Sequence, residues 1–245
     1  MKKIQKSSEL LWLLGVIFVA LGVAICSKAD LGVSMIAAPA FVVWEALAPF
    51  WSFLSVGVSE YLIQGLLLLL LCLVVRRFHF RYLLAFAVAV IYGYTLNLFL
   101  WILGGVSFDA IPLRWVMLIV GDGITALGVA CFFRTYLPLQ VYELFVAEVA
   151  DRFHLPIGRV KWVFDLSLLT VSLILAFTLF GDAATFDWST IGYQSFHSIG
   201  LGTLVTTAIN APIITLAGKL LDRIFDPTPL FPKLRSALGH GKEAK

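Results

Sequence analysis

At 245 residues the chain has the length of one or two soluble domains, but 60% of it is hydrophobic, only 13% is charged, and its mean hydropathy is +0.96. That leaves too little polar surface to clothe a water-soluble globule, so most of the chain has lipid as its solvent. The net charge of +3 is not gathered into a basic patch with interleaved aromatics, which sets nucleic acid aside as a partner.

A helix needs roughly 20 apolar residues to cross about 30 Å of hydrocarbon. Six runs meet that requirement: Leu10 to Cys26, Val56 to Val75, Tyr82 to Leu103, Leu113 to Phe133, Trp162 to Phe180 and Ile199 to Leu220. They are continuous and lack the alternation of a membrane barrel strand, which predicts helices. The expected fold class is all-α, a polytopic membrane bundle in a single transmembrane domain (residues 1–225), followed by a basic tail (226–245).

Met1-Lys2-Lys3, the first apolar run and Ser27-Lys28-Ala29 also have the form of a cleavable secretory signal. An internal repeat, described below, needs the first helix and argues against cleavage. Orientation follows from Lys and Arg. With the N-terminus in the cytoplasm, Lys2, Lys3 and Lys6, then Arg76, Arg77 and Arg81, then Arg134, Arg152, Arg159 and Lys161, and finally six residues from Lys219 to Lys245 lie inside. Only Lys28 and Arg114 lie outside, sixteen against two, so both termini are expected in the cytoplasm.

Leu21-Gly22-Val23-Ala24 near the end of the first span returns as Leu127-Gly128-Val129-Ala130 in the fourth, 106 positions later. At the same offset Glu45 faces Asp151, and with one residue of slippage Glu60 faces Asp165. The chain reads as two copies of span, short helix, span, span, over about 8–104 and 112–225. Three crossings per copy turn the second copy upside down, the inverted repeat of many secondary transporters. The first short helix, capped by Ser34 and running to about Ala48, is apolar all round, which favours a re-entrant or protein-buried segment. The second, Leu139 to Phe153, is amphipathic, with Glu148 and Arg152 spaced for a pair, and is expected at the cytoplasmic interface.

Leu137-Pro138, Tyr142-Glu143-Leu144-Phe145, Phe153-His154-Leu155-Pro156 and Lys161 to Asp165, with Ile199-Gly200-Leu201-Gly202-Thr203-Leu204, resemble the second half of the YczE, YyaS and YitT group of bacterial membrane proteins. Ala29-Asp30-Leu31-Gly32-Val33-Ser34 is similar to that group's Leu-Gly-x-Ser-Pro stretch, with Met35 in the place of Pro. The resemblance implies a multi-spanning bacterial inner-membrane protein, and no substrate.

Cys26, Cys72 and Cys131 lie in separate spans without metal or redox spacing, and His79, His154, His197 and His240 are scattered. No nucleophile and base pairing or phosphate-binding glycine loop can be read, so no enzyme activity and no cofactor or metal is expected. Function is sought instead among polar groups at membrane depth. Asp122 lies near the centre of the fourth span between Gly121 and Gly123, with no Lys or Arg at that depth, and suits a proton carrier, a cation ligand or an interhelical clasp. Thr203, Thr206, Thr207 and Asn210 form one stripe on the last span, and Pro212 frees the carbonyl of Ala208 beside it, as in a broken-helix site or as plain helix glue. Glu60 with Gln64 near the outer mouth, Asp165 with Lys161 near the inner one, and Tyr92 and Asn97 of the third span complete the candidate pathway. Tyr94, Trp101 and Trp162 are expected as interface anchors, while Glu9, Asp109, Asp182 and Asp187 are expected in water.

Two functions fit. One is a transporter or carrier of an unidentified small molecule or ion, with a midplane site between the copies and coupled to a proton or cation. The other is a substrate-binding, accessory or regulatory membrane subunit, for which Ala20-x-x-x-Ala24 offers a docking face to a partner subunit or a second copy.

Overall fold

The computed structural model describes residues 4–180 and 195–231. Lys2, Lys3, Asp182, Asp187, Lys233, Arg235, His240, Lys242 and Lys245 lie outside the described residues.

Six helices are long and apolar enough to cross a membrane: α1 (Ser8–Ala29), α3 (Val56–Val75), α4 (Phe80–Ile102), α5 (Ile111–Phe132), α7 (Ile157–Phe180) and α8 (Leu201–Ile224). Two shorter ones, α2 (Ala38–Leu47) and α6 (Val141–Phe153), follow the first crossing helix of each copy. Helix starts are written locally: the side chains of Ser7 and Ser55 accept the N–H groups of Leu10 and Val58 at 3.1 and 3.2 Å, capping α1 and α3. Ser34 caps nothing by its side chain; its carbonyl closes a turn onto Ala37 and Ala38, and α2 starts only there. The expected all-α bundle is what forms, with one small addition: β1 (Ile4–Ser7) and β2 (Phe225–Thr228) pair in parallel as a two-stranded ribbon.

The centre of the bundle is the antiparallel crossing of α1 and α5, set by four glycines. A Cβ added at Gly128 would lie 2.8 Å from the carbonyl oxygen of Gly15, and one added at Gly121 would lie 2.9 Å from that of Gly22. Both distances are too short for any side chain, so backbones touch here and only glycine fits. The offset of 106 turns Gly15 into Gly121 and Gly22 into Gly128, so each contact is the image of the other. Their neighbours obey the same rule: Gly15 abuts Phe132 and Gly121 abuts Cys26, while Gly22 abuts Thr125 and Gly128 abuts Val19.

The two copies interlock beyond this axis. α2 packs on α7, and α6 on α3, so each short helix is seated against the other copy. α4 packs on α1 as α8 packs on α5. The copies differ in that α4 also lies along α3, whereas α8 leans chiefly on α5. Ala20 and Ala24 are fully buried in the core around α1, so the small-residue face expected to dock another subunit is consumed within the chain.

Both short helices begin in the protein interior. Ala38 to Val42 of α2 and Val141, Tyr142 and Glu143 of α6 are buried, while Phe50, beyond the far end of α2, and Phe153, the last residue of α6, are exposed. This corrects the interfacial placement expected for α6. Its Glu148 accepts the hydroxyl of Tyr82 at 3.1 Å across to α4, rather than pairing along the helix with Arg152. One face of the bundle, called the basic face below, carries the arginines at the C-terminal end of α3 and the N-terminal ends of α4 and α7.

Candidate functional site

The re-entrant start of α6 brings polar groups of the second copy against α3 and α4 of the first. Glu60 and Gln64, one turn apart on α3, are both 0% exposed. Tyr142 donates its hydroxyl to Glu60 Oε2 at 2.9 Å. Glu143 follows in the same turn and Gln140 precedes it, both buried. Tyr92 of α4 lies close enough to act electrostatically on Glu60 and Glu143. From α7, Lys161 pairs with Asp165 at 3.2 Å and also reaches Glu143 and Asp122 through its field. Burial pushes the carboxyl of Glu143 up to about 7 against the pull of Lys161.

Buried polar atoms are nearly always hydrogen-bonded in folded proteins. Among the described residues Glu60 Oε1, Glu143 Oε2, both amide atoms of Gln64, Gln140 Nε2, Ser59 Oγ and Asp122 Oδ2 are buried without such a partner. Most of these belong to the α3 and α6 junction, which therefore holds an excess of unused hydrogen-bonding capacity. Among the described residues no three His, Cys, Asp or Glu side chains group as ligands for a metal ion.

Several residues expected along one pathway have separate places. Asn210 donates to Asp122 Oδ1 at 2.7 Å, joining α8 to α5. Thr203 is spent elsewhere: its Oγ1 accepts the Gly200 N–H, and it lies against Gly32 where Gly202 donates to the Leu31 carbonyl. Thr206 and Thr207 turn their hydroxyls onto the Thr203 carbonyl, and α8 continues unbroken through Pro212, so no broken-helix site forms there. Asn97 caps α3, accepting from Gly57 N at 2.9 Å and donating to Ser55 Oγ at 2.8 Å. Glu60 does not stand at a mouth; it is enclosed by α6. Glu9, expected in water, accepts the Tyr136 hydroxyl and the backbone N–H groups of Leu230 and Phe231, tying the segment after α8 back to α1.

At the face opposite the basic one, a polar pocket of about 220 Å³ is lined by Ser27, Asp30, Glu45, Ser195 and His197 among others. Asp30 pairs with Arg114 at 3.3 Å, and Glu45 meets His197 at 2.8 Å. Both pairs join the first copy to the second at this end of the bundle.

The amphipathic pattern of α6 does not single out Tyr142 and Glu143, because it marks an apolar face without saying that a glutamate beside it is buried. The available signal was a glutamate in the first turn of a helix whose neighbours are apolar.

No curated protein and no solved structure matches the chain significantly. The family DUF6198 matches residues 6–219, which takes in all eight helices almost to the end of α8. The chain belongs to DUF6198, a family of unknown function.

Proposed function

We propose that this membrane-spanning protein is a carrier that moves a small solute across a bacterial cytoplasmic membrane, with the basic face and both termini in the cytoplasm. The likeness to the YczE, YyaS and YitT group is part of the same proposal and supports the membrane assignment alone. One observation supports transport above the other readings: the start of a re-entrant helix from one inverted copy meets a crossing helix of the other at a buried cluster of polar groups with unused hydrogen-bonding atoms. Inverted-repeat carriers place their sites at that junction, and intramembrane ionisable groups are costly unless they serve a pathway.

The purified protein alone, in liposomes, is the test. Radiotracer uptake and entrapped-dye proton flux are measured across a panel of alkali salts, amines, carboxylates and sugars. Flux above that of protein-free liposomes for at least one class is expected. Liposomes as tight as controls across the whole panel would remove the carrier and favour an accessory subunit.

A further inference from the structure

Glu60, Asp122, Glu143 and Asp165 are four buried carboxyl groups, and Lys161 acts on three of them, Asp122, Glu143 and Asp165. Lys161 is already engaged with Asp165. These groups cannot all be ionised against one ammonium, because an unpaired ion in a low dielectric is costly; each either keeps its proton or is balanced by a bound cation. The unused acceptors show where a cation fits: Glu60 Oε1 and Gln64 Oε1 from α3, and Glu143 Oε2 from α6, each on a side chain more than nine-tenths buried. The Tyr142 bond to Glu60 Oε2 pins that carboxylate and leaves its other oxygen free to serve.

We propose that the junction of α3 and α6 binds one alkali-metal cation between Glu60 and Glu143, in exchange for a proton. The donor set is all oxygen, carboxylate and amide carbonyl, which suits a hard cation. Among the described residues no three His, Cys, Asp or Glu side chains group together, which is too few for a divalent ion, and an anion is repelled by the same carboxylates. The exchange balances: a carboxyl O–H bond breaks, the proton leaves to solvent, the cation takes its place and the net charge of the site is unchanged. The groups facing the exchanging carboxyls are Gln64 from α3, Tyr92 from α4, Tyr142 from α6, and Lys161 and Asp165 from α7.

The inference deepens the carrier reading, yet binding can be measured without flux. Sodium or potassium chloride is added to weakly buffered wild-type protein in detergent, with choline chloride as the bulky-cation control. At least one alkali ion is expected to release up to one proton per protein and to raise Tm with concentration, and choline to do neither. Glu60→Gln and Glu143→Gln should each weaken the apparent affinity by on the order of tenfold or more, the scale of one charge-assisted contact, while Asp109→Asn, on an exposed loop, leaves it unchanged. Should the glutamine variants not fold, carbodiimide labelling of wild-type protein decides: peptides carrying Glu60 or Glu143 should lose label in the alkali salt and not in choline. No alkali-specific proton release, or labelling identical in both salts, overturns the site. Alkali binding without flux in liposomes keeps the site and ends the carrier reading; flux of a neutral solute without alkali binding does the reverse.

Discussion

Tyr142 of α6 and Glu60 of α3 share a 2.9 Å hydrogen bond that fastens the re-entrant helix of one copy to a crossing helix of the other. Tyr142→Phe removes the hydroxyl and leaves the Glu60 carboxylate with no partner, at a cost of about 1–3 kcal/mol. Tyr82→Phe removes the comparable bond to Glu148 in a half-buried setting and should cost less. Detergent melts of the two variants check this; equal losses would deny the interior bond any special weight.

Gly22→Ala and Gly128→Ala should each destabilise the bundle by about 1–3 kcal/mol, since the new methyl groups press on backbone that cannot yield. A Cβ at Gly123 meets nothing within 4 Å, so Gly123→Ala should be neutral or gain up to about 1 kcal/mol from helix propensity. Thermal melts that rank Gly123→Ala with the other two would contradict the α1 and α5 crossing.

Asp122→Asn can keep the bond to Asn210 by turning its amide oxygen toward α8, and should melt within about 1 kcal/mol of wild type. Asp122→Leu cannot, and strands the Asn210 amide as well, which should cost about 1–3 kcal/mol. Indistinguishable melting of the asparagine and leucine variants would show that the 2.7 Å contact does not clasp α5 to α8.

Glu143 gives a pH dependence with a definite sign. Its carboxyl stands at about 7 in the folded protein against 4.5 for an ordinary glutamate. Between those values the unfolded chain has lost a proton that the folded chain retains, so rising pH favours unfolding. This contribution to stability is complete below 4.5, declines as pH climbs to about 7, and then levels off. Glu143→Gln should flatten that part of the profile; melts collected across the window and parallel in both proteins would exclude it.

Orientation is checked with reporters. A fusion after Lys245 or an insertion near Arg77 should report the cytoplasm, and one near Asp187 should not. An external C-terminus would invert the carrier as described.

The crossing helices could be read from the chain because lipid demands long apolar runs, and α3 begins and ends where hydropathy places it, at Val56 and Val75. The repeat was legible in Leu21-Gly22-Val23-Ala24 and its copy because the glycines that make backbone contact cannot be replaced. The position of α6 was not, since amphipathicity tells that two faces differ and not which one meets protein. Thr203, Thr207 and Asn97 show a second limit. A hydroxyl spent on its own helix, or an amide spent on a cap, has the same sequence signature as one that lines a path. Ala20 and Ala24 show a third, because small residues announce a close neighbour without saying whether it belongs to the same chain.

The glycine crossing of α1 and α5 also dictates how the protein is made. α1 finds its main partner, α5, only after α2, α3 and α4 have been synthesised, and at about 5–20 residues per second that delay is several seconds. During it Gly15 and Gly22 of α1 are without the α5 backbone they pack against. The first copy made alone lacks both α5 and the seat of α2 on α7, so a half-length product should persist only when the other half is supplied beside it.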